Sequence, residues 1–336
     1  MKVVPIRLLH AFLVFLMPLS VISPRTRPPR WEWDPCQVPP PNQRALRADQ
    51  LTVLINGFSE HRIPLLLSTA AVYSSAMASV SAVIILWSNP STSRQTLDNL
   101  SQNLTSVSTG GAPTTVIRQP SASLNLRFTP RRSITTRAVL VCDDDIQPDA
   151  ESVNFAFNVW RSNPDRLIGF FARSHDYDLP ERKWIYTMRN DRYSMILTKL
   201  MILKSEYLYR YTCETPPEML RLVDGKNNCE DILMNFVVSD SIEAGPILVG
   251  AKRGVRDMGD SRSEGGERAV GLSSRGGEHM KRRGDCITEF HRIAGRMPLR
   301  YNYGKVVDSA GEEGLCRKGD RFVYCDQQPP DSFDSI

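Results

Sequence analysis

The chain has 336 residues, of which 41% are hydrophobic and 24% are charged, a composition that is typical of a folded globular protein and excludes a disordered one. This length accommodates one large α/β domain or two smaller ones. The formal charge of +5 is too small to indicate a nucleic-acid-binding protein, and no motif of such a protein is present.

Residues 1–23 have the pattern of a membrane or export segment. Two basic residues precede an apolar stretch over residues 8–23, which is short for a membrane span and long for the core of a signal peptide. Ser23 is followed by Pro24, which makes a poor cleavage site. We therefore expect an uncleaved signal anchor rather than a removed signal peptide, and both alternatives place the rest of the chain in the secretory pathway.

Residues 24–48 are too rich in proline to form a helix or a central strand, and we interpret them as a luminal stem. Cys36 in this stem is either a partner in an interchain disulfide or a free thiol. The chain has seven cysteines, an odd number that leaves at least one unpaired or bonded to another chain in an oxidising compartment. They show no CxxC or Cys/His spacing, which argues against structural zinc.

From Leu51 onward apolar strands alternate with helices, and this pattern predicts βαβ units and a mostly parallel sheet. The predicted strands cover residues 51–55, 82–87, 115–117 and 138–142, and the predicted helices cover residues 63–73 and 98–104. No GxGxxG sequence follows the first strand and no GxxxxGKS/T sequence occurs, which excludes a dinucleotide fingerprint and a P-loop. Such a sheet without a glycine cradle suits a nucleotide-sugar site, where a metal ion neutralises the diphosphate.

Two glycosylation sequons, at Asn99 and Asn103, lie close together in a segment that we interpret as polar and exposed, as in a loop. Asn89 is not a sequon because Pro90 follows it. A pair of sequons in an exposed segment is consistent with a luminal protein.

The strand at residues 138–142 runs directly into Asp143, Asp144 and Asp145. Three adjacent carboxylates repel one another unless a cation binds them, and ligands bind at the carboxyl ends of strands in open α/β sheets. We therefore predict a divalent-cation site here. The alternative is a surface cluster of aspartates that caps the helix predicted after Pro148, but the buried strand before it favours the metal site.

The rest of the chain continues the alternation, with a helix at residues 148–163, a strand at 167–171, an undecided segment at 195–203, a helix opening at 229 and a strand at 246–249. An aromatic segment that includes Trp184 and Tyr186 could form the floor of an acceptor site. Asp231, in a first helical turn, is either a cap or a site residue. Residues 254–284 read as a long mobile loop, either solvated or a diphosphate-binding lid, that ends in basic residues before a helix at 287–299.

Four segments together resemble the exostosin-like glycosyltransferases of family 64. They are VLVCDDDIQPD (139–149), FNVWRSNPDRLIGFFARSHD (157–176), NCEDILMNF (228–236) and DCITEFHRIAGRMPLRY (285–301). The resemblance covers about residues 50–303, and the combination is far more specific than the aspartate triplet alone. Within the family, the short anchor and single catalytic domain are similar to plant enzymes that mannosylate glycosylinositol phosphorylceramide sphingolipids.

The resemblance implies a GT-A fold over residues 49–305. The remaining residues, 306–336, form a polar tail by composition, in which Cys316 and Cys325 could pair. The resemblance also implies a manganese-dependent, retaining transfer from a nucleotide sugar by a single-pass type II Golgi membrane protein. The implied site residues are Asp145 for the metal, Arg62, Asn89, Arg127, Asp143, Asp144 and His279 for the nucleotide sugar, and Asp231 with Arg283 for catalysis. Cys229 and Cys286 match a bonded pair.

One residue departs from the family pattern. Relatives that use uridine donors carry an Asn five residues before the position of Arg127, where this chain has Ala122. We therefore expect donor recognition to be altered. The resemblance to the plant enzymes implies GDP-mannose as donor and the sphingolipid as acceptor. Two alternatives stay open, namely a UDP-N-acetylhexosamine transferase that acts on a glycan, and a non-catalytic carbohydrate-binding relative.

Overall fold

A computed structural model describes residues 34–37, 39–40, 42–75, 77–108, 110–147, 149–250, 255–258, 276–308, 315–319 and 321–324. The predicted signal anchor at residues 1–23, most of the predicted stem, and Cys325 lie outside these ranges. Within them, no helix has both the length and the apolar character needed to cross a bilayer.

Strands and helices alternate through most of the described chain. The first half contains β1 (Arg47–Gly57), α1 (Ile63–Ser75), β2 (Val80–Trp87), α2 (Arg94–Val107), β3 (Thr114–Arg118), β4 (Thr136–Asp143), β5 (Ile146–Gln147) and α3 (Ala150–Ser162). The second half contains β6 (Ile168–Gly169), β7 (Ala172–Asp178), β8 (Lys183–Thr187), β9 (Met195–Ile196), β10 (Leu200–Lys204), α4 (Glu206–Tyr209), α5 (Pro217–Lys226), α6 (Glu230–Ile242), β11 (Ile247–Gly250), β12 (Arg256–Asp257), α7 (Gly276–Ala294), β13 (Lys305–Val307), β14 (Leu315–Lys318) and β15 (Arg321–Tyr324).

Eight strands form one sheet in the order β13-β11-β6-β10-β4-β1-β2-β3. Its neighbours pair in parallel except on the two sides of β10, which runs antiparallel to β4 and to β6. The prediction of a mostly parallel α/β sheet is therefore confirmed. Because β1, β2 and β4 are parallel, their carboxyl ends meet at one edge, where Asn56 pairs in register with Asp143.

The sheet is buried on both faces because its side chains alternate between two cores. In β4, Val139 and Val141 face one core, while Leu140 and Cys142 face the other. Helices α1, α2 and α3 cover one face and helices α5, α6 and α7 contribute to the core on the other. Val153, Phe157 and Trp160 of α3 are buried against the sheet, and each fully buried side chain of this kind contributes about 1.5–3 kcal/mol to folding.

Several predicted boundaries differ from the structure. The segment at residues 195–203 divides into β9 and β10, and only Ile168–Gly169 of the predicted strand 167–171 pairs in the sheet. Helix α2 begins at Arg94, before the predicted start at residue 98, and the side chain of Ser93 caps it by accepting a hydrogen bond from the Thr96 amide. Asn99 and Asn103 lie on this helix. Both side chains are exposed.

The predicted loop at residues 254–284 is wrong at its end, because the basic residues 279–283 lie on helix α7. Glycines and charges dominate this stretch, and the helix is stabilised by tertiary contacts that the local sequence does not reveal. Cys286, Ile287 and Phe290 are fully buried on one face of α7, and the pair of Glu278 with Arg282 spans one turn on an exposed face.

Cys36 forms a disulfide with Cys213, so neither alternative considered for Cys36 is correct. The two cysteines are separated by 177 residues, and such a pairing leaves no signal in the local sequence. The bond attaches the described part of the predicted stem to the residues that precede α5. Cys142 is a buried free thiol, while Cys325 lies outside the described residues and its pairing with Cys316 stays a prediction.

His175 on β7 is a buried histidine whose surroundings favour the neutral ring. Its Nδ1 lies 2.7 Å from Ser194 Oγ, its ring stacks on Tyr301 at 4.7 Å, and burial lowers its pKa from 6.5 to about 4. The unfolded chain binds this proton more readily than the folded chain does. The contribution of His175 to the free energy of unfolding is therefore fully present above pH 6.5 and is lost as the pH falls toward 4. We expect this residue to remove up to about 3 kcal/mol of unfolding free energy over that interval.

Urea unfolding at pH 7 and pH 4.5 measures this effect. His175→Gln has no titrating ring, so it should lose less stability than the unmodified chain between the two pH values. Equal losses in the two proteins would show that the folded ring titrates normally.

Candidate active site

The acidic triplet lies at the end of β4 and in the turn that leads to β5. Arg62, in a short 3-10 helix after β1, places Nη1 2.9 Å from Asp144 Oδ1 and 3.0 Å from Asp145 Oδ2. The backbone amide of Phe58 donates to Asp144 Oδ2 at 3.4 Å. Asp149, and none of the triplet, caps α3 by accepting from the Ser152 amide at 2.9 Å. The alternative that the triplet is a helix cap is therefore wrong.

Arg127 connects this triplet to helix α6. It belongs to a 3-10 helix at Leu124–Phe128, is 5% exposed, and places Nη1 3.1 Å from Asp143 Oδ1 and 3.1 Å from Glu230 Oε1. Sequence analysis missed Glu230. Its position beside Asp231 in the NCEDILMNF segment is the signal that could have indicated it. An acid in a first helical turn is, however, usually interpreted as a helix cap.

The site carries an excess of buried negative charge. Burial raises the pKa of the Asp143 carboxyl to about 7 although Arg127 opposes the shift. Burial also raises the pKa of Asp145 and of Glu230, against the opposing effects of Arg62 and Arg127 respectively. Since two arginines contact four carboxylates here, an additional cation would be stabilised at this position.

The chemistry of these groups fits a hard divalent cation such as Mn²⁺ or Mg²⁺, which binds carboxylate oxygens. Among the described residues, no group of three or more His, Cys, Asp or Glu side chains is arranged to hold a metal alone. A cation held by Asp145 would therefore need further oxygen ligands from phosphates or water. This requirement agrees with the roles that the family resemblance implies, in which Asp145 is the protein ligand and the diphosphate belongs to the nucleotide sugar.

Asp231 and Arg283 form the second half of the site. Asp231 Oδ2 lies 2.5 Å from Arg283 Nη2, and Arg283 Nη1 donates to Asn228 Oδ1 at 2.9 Å. The guanidinium also lies over the ring of Tyr186 at 4.4 Å from the centroid. Both charged side chains are buried, and Asp231 Oδ1 accepts from the Ile232 amide at 2.8 Å. Asp231 is thus both a helix-terminal acceptor and the partner of a buried arginine.

Helices α6 and α7 hold this pair together. The structure contains the disulfide between Cys229, at the N-cap of α6, and Cys286 in α7 that the family resemblance implies. His279 lies one turn before Arg283 on α7, and its Nδ1 is 3.4 Å from Asn228 Nδ2. The disulfide and Asn228 therefore tie together the two helix segments that carry Asp231 and Arg283.

The structure brings together nearly all the residues that the sequence analysis selected. Two buried groups within this set, Arg127 Nε and Arg283 Nε, lack a hydrogen-bond partner among the described residues. Asn89 follows β2 at the same sheet edge, half-buried, and its Oδ1 accepts from the Ser91 amide at 2.9 Å. The chemical role of each residue stays a prediction.

Replacing Arg127 tests this network. Arg127→Met leaves Asp143 and Glu230 buried without their shared cation, so we expect the unfolding free energy to fall by about 3 kcal/mol or more. Arg127→Lys keeps the charge and should recover part of that loss. Chemical denaturation measures both variants, and a loss below about 1 kcal/mol for Arg127→Met would contradict the network.

Comparison with known proteins decides the family. A family model described as "Glycosyl transferase family 64 domain" matches residues 51–311. The chain belongs to glycosyltransferase family 64. The resemblance found in the sequence is confirmed, and so is the α/β class with a mixed, mostly parallel sheet flanked by helices.

This family 64 glycosyltransferase is 57% identical over 303 residues to "Glycosyltransferase family protein 64 C3" of Arabidopsis thaliana, covering 88% of this chain and 91% of that protein. It is 31% identical over 269 residues to "Glycosylinositol phosphorylceramide mannosyl transferase 1" of the same plant, covering 77% and 76%. It is 38% identical over 194 residues to "Exostosin-1" of Bos taurus, covering 56% of this chain and 24% of that protein.

Two solved structures also resemble this family 64 chain. One is GalNAc-T7 with UDP, GalNAc and Mn²⁺, with a TM-score of 0.41 and 8% identity over 57% of this chain and 40% of that one. The other is the mannosyltransferase PcManGT of Pyrobaculum calidifontis with GDP-Man and Mn²⁺, with a TM-score of 0.33 and 16% identity over 50% and 49%.

Proposed function

We propose that this glycosyltransferase transfers mannose from GDP-mannose to a glycosylinositol phosphorylceramide sphingolipid, with retention of configuration and with a divalent cation, Mn²⁺, as cofactor. One observation carries the proposal. The acidic triplet is connected through Arg127 to Glu230, and the next residue, Asp231, is paired with Arg283. We therefore place the cation and the diphosphate beside the buried Asp231–Arg283 ion pair, at one edge of the sheet.

Different residues are suited to bind different parts of the nucleotide-sugar donor. When bound at Asp145, a divalent cation would neutralise the negative charge of the diphosphate leaving group. Arg62, half-exposed at this position, is suited to bind the nucleotide, and Asp143 and Asp144 are suited to accept hydrogen bonds from ribose and sugar hydroxyls. Arg283 adds positive charge on the α7 side, and a fixed charge of this kind stabilises a leaving phosphate. His279, whose Nδ1 faces the Asn228 amide, is suited to donate a hydrogen bond from Nε2.

Asp231 is suited to stabilise the positive charge that develops on the sugar, or to orient the acceptor hydroxyl. Its carboxylate is held by Arg283 and by a backbone amide, which makes it a rigid electrostatic group and a poor covalent nucleophile. Glu230 is likewise engaged by Arg127. We therefore favour attack by the acceptor on the same face from which the nucleoside diphosphate leaves.

Two observations support the guanosine donor and the sphingolipid acceptor. By the family resemblance, Ala122 stands where relatives with uridine donors carry an Asn, and one relative that aligns over three quarters of both chains is named a glycosylinositol phosphorylceramide mannosyl transferase. The rival, a UDP-N-acetylhexosamine transferase, is supported by the similarity to exostosin-1 over 194 residues. A non-catalytic relative is disfavoured because the triplet and the Asp231–Arg283 pair are intact.

Hydrolysis of a set of nucleotide sugars with and without Mn²⁺ tests this proposal. We expect GDP-mannose to be hydrolysed in a Mn²⁺-dependent manner, and UDP-N-acetylglucosamine and UDP-N-acetylgalactosamine to react much more slowly. Ala122→Asn should shift the preference toward the uridine donors. Preferential hydrolysis of a uridine sugar by the unmodified protein would establish the rival, and no hydrolysis of any donor would indicate a non-catalytic protein.

We also propose a Golgi location, with a single-pass type II anchor at residues 1–23 and the catalytic domain in the lumen. Two disulfides support an oxidising compartment, and both sequon asparagines are exposed on α2. Expression in plant cells tests it. We expect glycosidase treatment to lower the apparent mass of the unmodified chain and to leave the double variant Asn99→Gln/Asn103→Gln unchanged, while an unmodified chain without glycans would contradict a luminal α2.

A further inference from the structure

A π-helical turn over Arg210–Glu214 follows helix α4 directly. The Thr215 amide donates to the Arg210 carbonyl oxygen at 3.1 Å, which is the five-residue hydrogen bond of a π-helix. Such turns are rare and occur frequently at functional sites. Cys213 lies within this turn and forms the disulfide with Cys36 of the stem. The turn is therefore fixed by a covalent bond as well as by its own hydrogen bonds.

Tyr211 and Thr212, in the same turn, contact the 3-10 helix that carries Arg127. The Tyr211 hydroxyl donates to Asn125 Oδ1 at 2.6 Å, and the Tyr211 and Phe128 rings pack with their centroids 4.6 Å apart. The Thr212 hydroxyl donates to the carbonyl oxygen of Phe128 at 3.0 Å. The turn thus contacts the 3-10 helix at residues on both sides of Arg127.

Asn125 connects this contact to helix α5. Its Nδ2 donates to the carbonyl oxygen of Leu220 at 3.0 Å and to Asp224 Oδ1 at 2.8 Å, while its Oδ1 accepts from Tyr211. Together these bonds fix the orientation of the amide, and with it the backbone of the 3-10 helix. Burial raises the pKa of Tyr211 well above its usual value, so the hydroxyl stays protonated and remains a donor.

The position of Arg127 is critical because one of its nitrogen atoms serves two carboxylates. Arg127 Nη1 lies 3.1 Å from Asp143 Oδ1 and 3.1 Å from Glu230 Oε1. A displacement of the 3-10 helix lengthens at least one of these contacts, and hydrogen bonds depend steeply on distance and angle. The fully buried ring of Tyr211 provides packing, which a phenylalanine ring would also provide. The hydroxyl therefore supplies the directional part of the contact.

We propose that Tyr211 is a positioning residue, which acts through Asn125 and the 3-10 helix to hold Arg127 in place for the nucleotide-sugar donor. This inference rests on the proposed function, because it takes Arg127 as a donor-binding residue. The disulfide with Cys36 supports the role, since it limits the movement of the turn that carries Tyr211. Loss of the Tyr211 hydroxyl weakens donor binding and leaves the fold intact.

Calorimetric titration of GDP in the presence of Mn²⁺ tests this role. Tyr211→Phe should weaken GDP binding about fivefold, the effect of one hydrogen bond. Turnover at saturating GDP-mannose should stay within about twofold of the unmodified protein, because a pure loss of donor binding raises KM and leaves kcat unchanged. GDP binding by folded Tyr211→Phe that equals that of the unmodified protein would overturn the proposal.

Tyr207→Phe is the matched control. Tyr207 lies one turn before Tyr211 and is 2% exposed, and its hydroxyl donates to the carbonyl oxygen of Asp165 at 2.8 Å. The same chemical change there removes a hydrogen bond that does not involve the 3-10 helix, so GDP binding should be unaltered. Equal weakening in Tyr207→Phe would overturn the proposal, because the effect would then be a general consequence of lost stability.

A double-variant cycle tests whether Tyr211 acts through Arg127. In an Arg127→Lys background, Tyr211→Phe should weaken GDP binding by less than about twofold, since the arginine that it positions is absent. A loss of about fivefold in both backgrounds would show that the two residues act independently, and would overturn the proposal.

Neither folding nor GDP binding limits the test. Should Tyr211→Phe fail to fold, Asn125→Ala removes the same hydrogen bond, and normal GDP binding by that variant would overturn the proposal. Urea unfolding needs no ligand. Tyr211→Phe should lower the denaturation midpoint less in an Arg127→Met background than in the unmodified protein, and equal decreases would overturn the proposal. Absence of GDP binding by the unmodified protein would instead contradict the proposed function, so the two failures are distinguishable.

Discussion

Asp231→Asn should lower turnover of the donor by about a hundredfold or more, with little change in GDP affinity. Asp231 is buried against Arg283 at 2.5 Å and lies one residue from Glu230, which Arg127 connects to the acidic triplet. The amide is isosteric with the carboxylate but provides no negative charge to the sugar in the transition state. Steady-state hydrolysis and GDP titration on the folded variant separate the loss of turnover from a loss of binding.

Asp240→Asn is the control for this change, because Asp240 lies on the same helix and pairs with Arg296 at the surface. It should have normal turnover. Asp231→Asn also leaves Arg283 buried without a carboxylate partner, which lowers stability, so turnover is compared well below the melting temperature of each variant. Unchanged turnover in folded Asp231→Asn would remove this residue from the mechanism.

Asp145→Asn should abolish the dependence of donor hydrolysis on Mn²⁺ and lower the rate by about a hundredfold or more. An amide oxygen is a weaker ligand than a carboxylate, and no group of three or more metal-binding side chains is present among the described residues to replace it. The measurement is the hydrolysis rate as a function of Mn²⁺ concentration.

Asp149→Asn provides the comparison for Asp145→Asn. Asp149 caps α3 with hydrogen bonds to the amide and hydroxyl of Ser152, so its replacement should affect stability by at most about 1 kcal/mol and leave the Mn²⁺ response unchanged. A normal Mn²⁺ response in Asp145→Asn would show that the cation, if required, binds elsewhere.

The central strands and the acidic triplet could be predicted from the sequence because their signal is local. β2 and β4 are continuous apolar runs, as expected of strands buried on both faces. The triplet begins at the last residue of β4, so the rule that ligands bind at strand carboxyl ends was enough to predict the position of the site. The family resemblance then supplied Arg62 and Arg127, which are distant from the triplet in sequence and contact it in the structure.

What the sequence did not reveal depends on tertiary contacts. Glu230 resembles a helix-capping acid, and only its contact with Arg127 shows that it belongs to the site. The amino-terminal part of α7 has glycines and charges that favour a loop, while its buried face and the bond between Cys229 and Cys286 hold it as a helix. The partner of Cys36 could not be predicted either, because Cys213 lies 177 residues away in the sequence.

The contacts of Arg127 also explain why the acidic triplet and the Asp231–Arg283 pair should both respond to a change at either one. Arg127 shares its charge between Asp143 and Glu230, and Glu230 is followed directly by Asp231. A change in the charge of the triplet therefore alters the surroundings of the first turn of α6.

Calorimetric titration of GDP, with and without Mn²⁺, tests most directly whether the acidic triplet binds a diphosphate through a cation. We predict that Mn²⁺ tightens GDP binding to the unmodified protein by about tenfold or more and has no such effect on Asp145→Asn. GDP affinity that is the same with and without Mn²⁺ in the unmodified protein would contradict the account.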